Sequence, residues 1–132
     1  MSLLIALMIA QAGTAAAGGC KSPVTQMDMN ICSDRDFQAA DRELNAQWSL
    51  TTAQMRDLDS EPRPSGDRRS GYFDQLRAAQ RLWISFRDAH CASEGYQARG
   101  GSMEPMLVSG CRATLTRART LQLRELADGL EG

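Results

Sequence analysis

Long hydrophobic runs, net charge, histidine and strand patterning are all scarce in this 132-residue chain, and each scarcity closes off a class of function. The longest apolar stretch, Leu3 to Ala10, is far shorter than the ~20 residues that a membrane-spanning helix needs, which argues against a stable membrane anchor. The formal net charge is -1, made from 15 basic and 16 acidic side chains. That balance leaves no nucleic-acid footprint and little long-range steering toward anionic lipid or a strongly cationic partner. His90 is the single histidine, no CxxC occurs, and no P-loop, HExxH or serine elbow is present. The residues therefore imply no metal, no cofactor and no enzymatic site. No segment reads as a strand, and there is no internal repeat or low-complexity tract.

What is present begins with a leader. The short apolar core runs into small residues ending Ala15-Ala16-Ala17-Gly18, the pattern of a signal peptide cleaved after Ala17, although no Lys or Arg precedes the core. Residues 18–132 then form one domain, periplasmic or secreted. All four cysteines, Cys20, Cys32, Cys91 and Cys111, lie beyond that point, and an even count in a small exported domain reads as two disulfides.

Three helical stripes follow. Thr25 with Asp28 three positions on is an approximate capping box, after which Phe37, Leu44, Trp48, Met55 and Leu58 recur at helical spacing, predicting a first helix that ends near Asp57. The segment from Asp59 to Gly71 holds two prolines and no large apolar residue before the next stripe, and reads as an exposed connection. Phe73, Leu76, Ala79, Trp83 and Phe86 mark a second helix from about Gly71 to His90 or a little beyond. Pro105 suits the first turn of a third helix carrying Met106, Leu107, Cys111, Leu115, Ala118, Leu121 and Leu126. The expected fold is all-α, a small up-down-up three-helix bundle stapled by two disulfides. Local pairing of Cys20 with Cys32 and of Cys91 with Cys111 fits these positions, because the other connectivities must cross the bundle.

Several polar residues interrupt the stripes. Asp41 falls inside the first, Gln80 and Arg87 inside the second, and Arg117 one turn below Thr114 in the third. The economical reading is an inward structural cluster in which Asp41 meets Arg87 or Arg117 and Gln80 fills a remaining hydrogen bond. A ligand pocket built on the same groups is the functional alternative. His90 beside Cys91 suggests a Cys/His nucleophile only superficially, since adjacent helical residues diverge by about 100° and a disulfide-bonded cysteine has no thiolate.

The strings Cys20-x-x-Pro23-x-Thr25-Gln26-x-Asp28-Met29-Asn30-x-Cys32, Ala40-Asp41-x-x-Leu44-Asn45 and Ala79-Gln80-Arg81-x-Trp83-x-x-Phe86-Arg87-Asp88-x-x-Cys91 are joined by Gly101-Ser102, Pro105-Met106, Cys111 and Thr114-x-x-Arg117. Together they resemble the LprI-like lysozyme inhibitor family over nearly the whole of residues 18–132. The resemblance implies a small exported helical domain, and the member that names the family is a lipoprotein reported to inhibit lysozyme. Here Ala17 stands where a lipobox would want a Leu-like residue, and a lipidated Cys20 would orphan one thiol, so lipid attachment at Cys20 is disfavoured.

Two functions remain in view: inhibition of lysozyme or a related peptidoglycan-cleaving hydrolase, and a non-inhibitory adaptor that binds another envelope protein or peptidoglycan itself. An inhibitor needs a protruding element, and the loop from Gly95 to Glu104 is the candidate. It offers Tyr96 and Arg99, residue types enriched at binding hot spots, with Ser102 and Glu104 beside them.

Overall fold

The computed structural model describes residues 19–131, so the expected leader, residues 1–17, lies outside the described residues. Three helices form: α1 (Gln26–Asp59), α2 (Tyr72–Gly95) and α3 (Glu104–Glu131), with a single 3-10 turn, Tyr96–Ala98, after α2. Among the described residues there is no strand. Cys20 is bonded to Cys32 and Cys91 to Cys111, as the local pairing requires.

The first two helices begin for nameable reasons. At α1 the Thr25 hydroxyl accepts from the Asp28 amide (3.1 Å) while the Asp28 carboxylate accepts from the Thr25 amide (3.3 Å), a reciprocal capping box. α2 has no side-chain cap of its own, because its N-cap is Gly71. Asp59, the last residue of α1, supplies it: its two carboxylate oxygens accept from the amides of Tyr72 (2.7 Å) and Phe73 (3.0 Å). One carboxylate thus closes the 60–71 connection and sits against the positive end of the α2 dipole. Glycine at 71 suits this approach, since a Cβ there would lie 2.6 Å from an Asp59 oxygen and the carboxylate would have to shift.

Cross-helix contacts fix the topology. Asn30 meets Ser102, Ser33 meets Met106, Thr51 meets Leu123 and Gln54 meets Ala127, a constant offset that makes α1 and α3 parallel and in register over most of their length. Gln80 meets Arg119, Arg87 meets Thr116 and Cys91 meets Cys111, so partner numbers rise as α2 numbers fall and α2 is antiparallel to α3. The bundle is therefore up-down-up.

The apolar core is Leu44, Met55, Leu76 and Leu123, flanked by Trp48, Phe73, Trp83 and Leu130. Two of the expected stripes are displaced. On α2, Phe86 is 58% exposed and Ala79 is also exposed, while Gln80 and Arg87 are buried. On α3, Ala118, Leu121 and Leu126 face solvent and the buried set is Cys111, Ala113, Thr116, Thr120, Leu123 and Ala127. Apolarity alone missed the buried threonines, whose hydroxyls find partners inside the bundle. Thr120 donates to Thr116 (3.0 Å) and Thr51 to Leu123 across the α1–α3 seam (3.1 Å).

Candidate functional site

The connection between α2 and α3 is held at both ends and in the middle. The Cys91–Cys111 bond, with Cα atoms 5.4 Å apart, ties the helices below it. Gly95 lets them close further, since a Cβ there would meet Val108 at 2.5 Å. Gly100 takes a left-handed turn at φ 76, a conformation that favours glycine, and its amide donates to the Glu104 carboxylate (3.0 Å). The Asn30 side chain on α1 donates to the Ser102 carbonyl (2.9 Å), pinning the loop between α2 and α3 to α1 as well. On this frame the Arg99 guanidinium stacks 4.5 Å from the centre of the Tyr96 ring, and Tyr96 remains 56% exposed. Of the four loop candidates, Tyr96 and Arg99 form one surface pair, whereas Glu104 and the Ser102 backbone are engaged in holding the loop. Val24, Met27 and Met103 are exposed at the same end of the bundle, where Cys32 ties the segment before α1 to that helix.

The interior polar residues do not form the single expected cluster. Arg87 is 8% exposed, lies 5.2 Å from the Phe37 ring centre and 5.1 Å from that of Trp83, and donates to Asp88 (3.0 Å) and Thr116 (3.4 Å). Asp41 is half-exposed and reaches Arg87 only at 4.0 Å. Arg117 does not meet Asp41: it forks onto Asp36 (2.9 and 2.7 Å), and the pair holds the Asp36 carboxyl below its ordinary range, through the hydrogen bonds first, while raising Arg117. Gln80 accepts from Arg119 (2.9 Å) and not from the α1 side. Burial lowers the Arg119 pKa. The separation follows from helix geometry, because inward-facing Thr116 turns its neighbour Arg117 about 100° away from Asp41. Sequence reasoning missed Asp36, Asp88 and Arg119, all of which carry opposite charge or amide partners within reach but lie outside the apolar stripes that guided the search.

His90 and Glu94 (3.4 Å apart) approach Cys111, yet the Cys111 sulfur is committed to the disulfide and offers no thiolate for a metal. The His90 ring instead stacks on Phe86 with centroids 5.4 Å apart.

Residues 18–123 match the family model described as lysozyme inhibitor LprI. The chain belongs to the LprI family. A protein of Rhizobium meliloti (strain 1021), described as uncharacterized, is 50% identical to this LprI-family chain over 112 residues, covering 85% of this chain and 81% of its own. No solved structure matches. The cysteine string, the polar positions of α2 and the Cys111 segment that carried the family resemblance are the same residues that form the clamp and the buried arginine site.

Proposed function

We propose that this LprI-family chain is an exported, non-catalytic binding protein that blocks a lysozyme-type hydrolase with the disulfide-clamped end of the bundle. The observation that carries the reading is the Tyr96–Arg99 stack on a loop pinned by Cys91–Cys111, Asn30 and Glu104. Such hydrolases work with two carboxylates in a cleft, and a guanidinium on a pre-ordered aromatic support suits that environment. Pre-ordering lowers the entropy cost of association, which matters for a protein whose net charge of -1 gives weak steering. Two disulfides, with no free cysteine among the described residues, agree with an oxidising compartment.

The test is a turbidity assay in which lysozyme acting on bacterial cell walls is titrated with purified protein at low and at high salt. Saturable inhibition whose affinity changes little with salt is the expected result. Absence of inhibition at every ratio transfers the proposal to the adaptor reading. That reading has its own support in the outward face of α2, where Leu82 and Phe86 are exposed one turn apart.

A further inference from the structure

The two disulfides differ in how much of the fold stands between them and a reagent, and this difference is independent of the inhibitor reading. Cys91 is 0% exposed and Cys111 7% exposed where they join α2 to α3. Cys20 is exposed and Cys32 half-buried. Thiol–disulfide exchange requires a thiolate to reach one of the two sulfurs. A buried pair therefore reacts only after the helices part, whereas an accessible pair reacts in the folded chain.

The fold does not depend on the accessible bond. α1 starts at Gln26 behind its own capping box, formed by Thr25 and Asp28. Its first turns are then held across the bundle by side chains: Gln26 donates to the Met106 sulfur (3.6 Å), Asn30 to the Ser102 carbonyl (2.9 Å) and Ser33 to the Met106 carbonyl (3.0 Å). What the Cys20–Cys32 bond adds is the placement of residues 20–24, where Cys20, Lys21, Ser22 and Val24 are exposed. Breaking it releases a short surface segment. Breaking Cys91–Cys111 loosens the joint between two helices.

We propose that Cys20–Cys32 is a thiol-exchange site that a dithiol reductant opens in the folded protein, and that Cys91–Cys111 is a structural bond closed to the same reductant. A thiolate of the dithiol attacks the sulfur of Cys20, the more exposed residue. The Cys20–Cys32 bond breaks, and Cys32 leaves as a thiolate that takes up a proton. The second thiol of the reductant then displaces Cys20 from the mixed disulfide. The reductant ends as a disulfide and Cys20 and Cys32 as two thiols, two electrons and two protons having passed to the protein. In this state residues 20–24 are released from α1, and the loop carrying Tyr96 and Arg99 keeps its clamp.

The oxidised protein is treated with dithiothreitol under native conditions and quenched with iodoacetamide at intervals. Alkylated cysteines are located by peptide mapping, and the helical circular dichroism is followed in parallel. Cys20 and Cys32 are expected to be alkylated at least tenfold faster than Cys91 and Cys111, with the helical signal unchanged while only the first pair is open. In urea sufficient to unfold the chain the two pairs should open at similar rates, because burial sets the difference. The proposal is overturned if both pairs open equally fast in the native protein, or if Cys20–Cys32 resists until the protein unfolds. Loss of helical signal in step with alkylation of Cys20 and Cys32 overturns it too, as does a tenfold difference that persists in urea.

Discussion

The two ends of this bundle are stabilised by different means. Toward the 60–71 connection, Met55, Leu76 and Leu123 bury apolar volume together with Leu44, and no covalent bond joins the helices. Toward the 96–103 connection the buried residues are small, polar or cross-linked: Ala40, Arg87, Cys91, Gly95, Cys111 and Ala113. A small domain has little apolar surface to bury, and this one concentrates it at one end and substitutes disulfides at the other. The difference teaches that the cross-linked end is free to expose Tyr96, Val24 and Met27, because its order does not depend on burying them.

The largest effect should come from the apolar end. Leu123 is fully buried on the α1–α3 seam, and Leu123→Ala is expected to cost about 3 kcal/mol in urea unfolding, from lost transfer energy and a cavity. Joint replacement of Cys91 and Cys111 by Ala should cost a comparable amount, about 3 kcal/mol, for a closed loop of sequence separation 20. The sharper readout is hydrogen exchange: amides around Gly100 and Gly101 should lose protection in the cysteine variant and keep it in Leu123→Ala. Equal loss in both would erase the distinction between the ends.

Asp59 and Asp41 offer a smaller pair. Asp59→Ala removes the only side-chain cap of α2 and is expected to cost about 1 kcal/mol. Asp41→Ala should cost under about 1 kcal/mol, because Asp41 is half-exposed, 4.0 Å from Arg87, and leaves that guanidinium paired with Asp88. A larger loss for Asp41 than for Asp59 would restore Asp41 as the principal partner of Arg87.

These outcomes trace which features were legible in the sequence. The capping box at Thr25, the disulfide pairing and the burial of Gln80 and Arg87 follow from local spacing, which helices read faithfully. The orientation of α3 was not legible from apolar periodicity, because Thr116 and Thr120 count as polar while their hydroxyls are satisfied inside the helix or against it. The Asp59 cap was hidden for another reason: it acts across a connection of a dozen residues, and no local pattern joins it to Tyr72. At the candidate site, Tyr96 and Arg99 were identified by type. Their stacking and the tether from Asn30 depend on the α1–α3 register, which no single stripe encodes.

The smallest expected effect is on pH dependence. The Asp36 carboxyl is held below its ordinary value by Arg117, so its contribution is present above the unfolded pKa of 3.8 and is lost as pH falls through the lower folded value. Both side chains are about half exposed, and the contribution is correspondingly small. By thermal unfolding, Asp36→Asn should fall slightly below wild type near neutrality, and the gap should narrow as pH falls below the unfolded value; a gap that widens toward acid would reverse the sign.

The central claim is that the cross-linked end holds a pre-formed binding pair. It is tested most directly by titrating lysozyme with wild type and with a Tyr96→Ala, Arg99→Ala double variant that remains folded by circular dichroism. The account predicts saturable inhibition by the wild type and at least tenfold weaker inhibition by the variant. Equal inhibition by the two proteins would contradict it.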